Sequence, residues 1–96
     1  MPKHAARSDS NQQDIIDALR AAGASVFDTS RVGGGFPDLV VGFGGGIGIT
    51  ARTYLMEVKT VNGKLNKKQV KFHNEWRGQV DIVRSAEDAL KVIGRL

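Results

Sequence analysis

Three side chains carry the chemistry this sequence offers: Asp38 in GFPDLVVGF, and Glu57 with Lys59 in YLMEVKT. Asp38 follows Pro37 directly and heads an apolar run, Leu39-Val40-Val41, that reads as a strand bound for the interior. An ionised carboxylate beside a buried strand is costly unless something cationic meets it. Glu57 and Lys59 lie two apart on a second extended segment, so both point to one side while Val58 points to the other. Pairing the two segments antiparallel about a turn near Ile47 and Gly48 sets Asp38 opposite Glu57, with Cβ atoms ~5 Å apart. Like charges directly opposite destabilise a strand pair, so folding alone gives no reason for the arrangement. A divalent cation reverses the penalty, because Mg2+ favours one or two carboxylates together with phosphate oxygens and water. Taken singly, an Asp before a strand is an ordinary turn residue and E-V-K an ordinary surface pair. Their convergence points to metal-assisted chemistry, and a one-residue slip of register would undo it.

The elements that must position these residues follow from pattern. A helix is expected from about Asn11 to Ala22, with Ile15, Ala18, Leu19 and Ala22 on one face and Gly23 as its terminator. Asp17 and Arg20 fall on the opposite side, and Asp14 at the border of the apolar stripe. A short strand over 24–30 leads into the turn RVGGG, and Pro37 can open the next strand because its missing N–H is tolerated at a first position. Strands are expected over 38–43 and 52–60, joined by GGGIGITA as either a tight hairpin or a mobile arm. A second helix from about Lys67 to Arg77 places Leu65, Phe72 and Trp76 on one face and Lys67, Lys68 and Lys71 on the other, with Gln69 and His73 beside the seam. Residues 80–84 form a strand, and Ser85 with Asp88 reads as a capping box opening a last helix.

Composition bounds the rest. Ninety-six residues with 41% apolar and 25% charged content suit one small globular domain over 11–96, preceded by a flexible tail over 1–10. Without cysteine there is neither a disulfide nor a thiolate zinc site. No apolar run reaches the ~20 residues of a membrane span, and no apolar core follows the basic N-terminus, so a cytoplasmic location is expected. The net charge of +4, with lysines clustered from Lys59 to Lys71, favours a polyanionic partner. The glycine runs lack dinucleotide-fold spacing and NGKL lacks the rest of a phosphate loop, so no nucleotide cofactor is expected.

With these elements in place, P-D at 37–38 followed by E-V-K at 57–59 resembles the PD-(D/E)XK nuclease signature. NQQDIIDALRAAGASVFDTSRVGGGFPDLVVG, YLMEVKT and KLNKKQVKFHNEWRGQVDIVRSAEDAL resemble the virus-type replication-repair nuclease (VRR-NUC) domains, especially the small stand-alone phage and prophage forms, over residues 11–92. The resemblance implies an α/β fold: a minimal restriction-endonuclease-like αβββαβ core with a C-terminal helix, its mixed central sheet flanked by helices. It implies Asp38 and Glu57 as ligands of one or two Mg2+ or Mn2+ ions, the Val58 carbonyl as a further ligand, Lys59 as the motif lysine and Gln69 as the glutamine that follows it. The acidic residue of the family's first helix, usually Glu, matches Asp14, one methylene shorter.

The expected activity is therefore metal-dependent hydrolysis of DNA phosphodiester bonds, with Asp38, Glu57, Lys59 and Gln69 as the catalytic set. Arg31, Lys64, Lys67, Lys68 and Lys71 are candidates for backbone phosphate contacts, which give affinity rather than sequence choice. The resemblance also implies a homodimer that cuts branched DNA such as four-way junctions in a bacterial or phage-infected cell. Two alternatives are a sequence-specific restriction-type endonuclease, for which so short a chain leaves little base-reading surface, and a nucleic-acid-binding module whose acids merely pair with Lys59.

Overall fold

The computed structural model describes residues 3–96, with side chains from Asn11 onward. The element order is α1 (Lys3–Ala21), β1 (Ser25–Asp28), β2 (Leu39–Phe43), β3 (Arg52–Val58), α2 (Lys67–Glu75), β4 (Asp81–Val83) and α3 (Ala86–Val92). The backbone of α1 begins at Lys3, ahead of the start expected near Asn11; the side chains of 1–10 lie outside the described residues. Gly23 at φ +98° ends the helix, and the Ala24 N–H donates back to the Leu19 carbonyl at 3.0 Å. No helix among the described residues is long and apolar enough to cross a membrane.

The sheet is mixed, in the order β1-β2-β3-β4. The first two pairings are antiparallel and β3 runs parallel to β4. Leu39 pairs with Met56 and Val40 with Leu55, which is the register set by a turn centred near Ile47 and Gly48. The connection at that turn is a closed loop: the Gly45 N–H reaches the Ile49 carbonyl at 2.8 Å, and the Ile49 N–H the Gly46 carbonyl at 3.0 Å. Gly44, Gly45 and Gly48 take positive φ there, a conformation that side chains with a Cβ resist.

Strand alternation divides the apolar residues between two unequal layers. Leu39 and Val41 of β2, Met56 of β3 and Val83 of β4 bury against Ile15, Ile16 and Leu19 of α1, Ala89 of α3 and Ile93 just after it. The other face carries only α2, which has no buried residue. Phe72 stacks on Trp76 with ring centroids 5.1 Å apart and meets Phe36 edge-on at 5.6 Å. Trp76 nevertheless stays 43% exposed, so the apolar seam expected of this helix is only half covered. The helix stops at Glu75, short of Arg77, because Trp76 turns extended and its indole N–H reaches the Gln79 carbonyl at 3.2 Å.

One close approach fixes α2 on the sheet. Gly35, at φ +82°, lies so near the Lys68 carbonyl that an added Cβ would run into backbone, with the Gln69 nitrogen only 3.1 Å away. Gly35→Ala is therefore expected to destabilise the fold by more than the ~1 kcal/mol that glycine substitutions commonly involve, and to free the start of α2. Urea denaturation together with amide exchange in α2 checks this; unchanged stability and unchanged exchange would contradict it.

Candidate active site

The site forms where the head of β2, the end of β3 and the start of α2 meet. Thr29, buried just after β1, fixes the strand head. Its hydroxyl donates to the Pro37 carbonyl at 2.7 Å and its N–H donates to the Asp38 carbonyl at 2.7 Å. One Asp38 oxygen then accepts the Val58 N–H at 2.9 Å. The register extended by one residue beyond Leu39–Met56 brings Asp38 opposite Glu57, on the sheet face away from the α1–α3 core. Glu57 is 1% exposed, although it is ionisable.

Around Glu57 the polar partners are specific. Gln69 Nε2 donates to Glu57 Oε2 at 3.0 Å, and Lys59 Nζ stands 3.8 Å from the same oxygen. The other oxygen, Oε1, is buried with no hydrogen-bond partner. Burial is the largest influence on this carboxyl, followed by the adjoining Asp38 side chain, and together they push its pKa up to about 8 against the opposing pull of Lys59. Two acids are thereby brought into one small volume, which favours keeping one of them neutral.

Gln69 owes its orientation to the cap of α2. Asn66 caps α2, its side chain accepting the Gln69 N–H at 2.9 Å, and Gln69 Oε1 in return accepts the Asn66 N–H at 2.9 Å. With Oε1 committed to the cap, the amide nitrogen is the end left to face Glu57. The signal was present as N-x-x-Q at 66–69. Gln69 thus contacts the second carboxylate rather than Lys59.

The cleft over these groups has a volume of about 330 Å³ and is lined by Asp38, Glu57, Val58, Lys59 and Gln69, with Asn11, Gln12, Thr60, Gly63 and Lys64 completing its walls. Asp14 is not among them. It is exposed, and the α1 residues that overlook the cleft lie one turn earlier, where Asn11 Nδ2 donates to the Lys59 carbonyl at 3.3 Å. Asp14, expected at a metal, thus stands outside the lining of this cleft. Asn11, Ile15 and Leu19 succeed one another at four-residue steps, so the amide shares the core-facing side of the helix. That periodicity was the available signal.

The basic residues separate into groups. Lys64 lines the cleft; Lys67 and Lys68 are exposed in the first turn of α2, next to Gln69. Cations at a helix start oppose the macrodipole, at a cost of about 0.3–1 kcal/mol each, so these two do not serve helix stability. Lys71 pairs with Glu75 at 2.9 Å on the surface, and Arg31 sits exposed near Asp28. His73, whose pKa is lowered mainly by burial, does not line the cleft.

The ligand set suits a divalent ion with open coordination positions. Among the described residues no three His, Cys, Asp or Glu side chains cluster. Two carboxylates, one carrying a buried oxygen without a donor, still match an ion that keeps water and takes phosphate oxygens. A mixed sheet whose hairpin presents Asp, Glu and Lys at one end defines a nuclease domain of the PD-(D/E)XK type. A solved structure described as a VRR_NUC domain has the same fold with a TM-score of 0.68, at 27% identity, over 90% of this chain and 92% of its own. No family model and no curated protein matches the chain. The structural likeness supports placing the chain with the VRR-NUC domains.

The raised Glu57 pKa has a defined signature. The unfolded carboxyl ionises near 4.5 while the folded one holds its proton to about 8. Stability contributed by this group is therefore complete below 4.5 and is lost as pH rises through that interval. In chelator, the midpoint of thermal unfolding should fall between pH 5 and pH 8 by more in the wild type than in Glu57→Gln. Equal slopes in the two proteins would contradict the burial and pairing described.

Proposed function

We propose that this protein is a metal-dependent DNA endonuclease that hydrolyses phosphodiester bonds, that it selects branched DNA such as four-way junctions, and that it acts as a homodimer. The observation that carries the chemistry is the buried Glu57 oxygen without a donor, set beside the Asp38 carboxylate and bounded by Lys59 and Gln69. Asp38 and Glu57, with the Val58 carbonyl, would hold one or two Mg2+ or Mn2+ ions. Bound there, the metal supplies charge neutralisation at the phosphoryl oxygens and a water made more acidic.

The chain's own residues do the rest. Lys59 Nζ orients the attacking water and meets the negative charge that develops as its oxygen bonds to phosphorus. The attacking water gives up a proton to solvent, the bond to the leaving sugar oxygen breaks, and that oxygen takes up a proton from solvent. Gln69 keeps Glu57 aimed at the cleft, since its own amide is locked by the Asn66 cap. Lys64, Lys67 and Lys68 flank the path of a phosphate backbone, with Lys71 and Arg31 further out. Their contacts would make binding steeply dependent on salt.

Branched-DNA selectivity and dimerisation rest on the resemblance to VRR-NUC domains and on a stoichiometric argument. Each chain has one cleft, and two strands cut symmetrically require two clefts related by a two-fold axis. A cytoplasmic setting in a bacterium or a phage-infected cell would be consistent with the same resemblance.

The test is incubation with four-way-junction and linear DNA, in Mg2+, in Mn2+ and in chelator, with molar mass measured by light scattering. Metal-dependent nicking of the junction by a dimer is expected. Binding without cleavage in any metal would overturn the nuclease reading, and discrete cuts at one linear sequence would overturn branch selectivity. Lys59→Ala should retain junction binding while cleavage falls roughly 10²–10³-fold, and cleavage at the wild-type rate would remove Lys59 from the mechanism. Asp38→Asn should weaken Mn2+ binding in calorimetry, a readout independent of turnover. Replacing both Lys67 and Lys68 with Ala should lower the salt slope of binding by about two.

A further inference from the structure

We infer that Arg84, which does not line the cleft, is the positioning residue that holds its β3–α2 wall; the inference rests on the nuclease reading above. Arg84 follows β4, whose Val83 carbonyl accepts the Lys59 N–H at 3.0 Å. Its guanidinium reaches across into the loop after Lys59, where Nη1 donates to the Thr60 carbonyl at 2.6 Å and the Gly63 carbonyl at 2.8 Å. The Val61 carbonyl lies 3.3 Å from the same nitrogen. Nη1 carries two hydrogens, so the two short contacts are full bonds and the third is shared.

Three carbonyls turned to one point make a concavity of negative partial charge. Without a cation inside it they would repel one another and the turn would open. The turn is otherwise closed by a single N–H, from Gly63 to the Thr60 carbonyl at 3.1 Å. Among the described residues Arg84 makes no ion pair with a carboxylate, so its charge acts on these carbonyls. Its own backbone is anchored in turn: the Asp88 carboxylate accepts the Arg84 N–H at 2.9 Å from the start of α3, which is packed in the core through Ala89.

A rigid path therefore runs from the core through Asp88 and Arg84 to the loop. What the loop carries gives the path its consequence. Thr60, Gly63 and Lys64 line the cleft, Lys59 immediately precedes the held turn, and Asn66, which aims Gln69, follows it. Displacing a reacting group by about 1 Å can lower a rate by 10²-fold, so loosening this turn acts on Lys59 and Gln69 together without removing either.

The experiment compares Arg84→Met, which keeps bulk and removes the donors, with Arg84→Lys, which restores a cation carrying three donors on one nitrogen. Amide exchange and steady-state nicking of junction DNA are read on each. Arg84→Met should speed exchange of the 59–66 amides about ten-fold or more while leaving those of α1 and β2 unchanged. Its kcat should fall roughly 10- to 100-fold, with KM held within about two-fold, and Arg84→Lys should recover most of both losses. Wild-type kcat with wild-type exchange in Arg84→Met would overturn the inference. So would exchange that rises uniformly along the chain with no rescue by Lys, because the role would then be global stability. A wild-type protein that does not cut would refute the nuclease reading instead, and the exchange arm would still decide whether Arg84 holds the loop.

Discussion

Two carboxylates opposed at the end of a strand pair, one of them buried, set the terms for everything around them. Burial and the neighbouring Asp38 keep Glu57 from ionising at its ordinary pH, so the pair could carry both charges only at a cost to the fold. The neighbourhood nevertheless maintains the pair. Thr29 fixes the Pro37–Asp38 backbone, Val58 donates to Asp38, and Gln69 donates to Glu57. Each of these contacts stabilises the close approach of the acids rather than relieving it. That pattern supports the proposal that this end of the sheet receives a cation and a phosphate.

The division of the sheet into two unequal faces serves the same end. α1 and α3 build the core on one face, so the other is free to carry a functional layer with little packing of its own. α2 can remain without a buried residue because it is attached at defined points: the backbone contact at Gly35 and the cap at Asn66. Both attachments lie in its first turn, beside Gln69. The helix is thus fixed most firmly where its glutamine must be placed, and its far end, at Trp76, is left half exposed. Stability and chemistry occupy opposite faces, with Glu57 on the functional one.

The fold was legible wherever local periodicity coincides with a tertiary requirement. The β2–β3 register could be counted from the turn, and alternation excludes a one-residue slip, which would take Met56 off the face of Leu39 and Val41. Asp38, Glu57 and Lys59 came together for that reason alone, and Gln69 through the family resemblance. Asp14 did not, because a helical wheel gives the angular position of a side chain but not how far along the sheet its helix is docked. Packing at Ile15 and Leu19 sets that height, and it brings Asn11 to the cleft. The S-x-x-D box at 85–88 was also only partly legible. Ser85 caps α3 as expected, yet Asp88 accepts the Arg84 N–H, one residue before the cap.

What the sequence by itself determined is the pairing of two strands and the identity of the charged groups they bring together, because side-chain direction along a strand depends only on the parity of position. What only the tertiary structure decided is everything that reaches the cleft from elsewhere: Asn11 from α1, the fixed sense of the Gln69 amide, and the hold of Arg84 on the loop after Lys59. Those contacts join residues far apart in the chain, and their geometry depends on how helices and loops dock. No periodicity in a linear sequence encodes that docking.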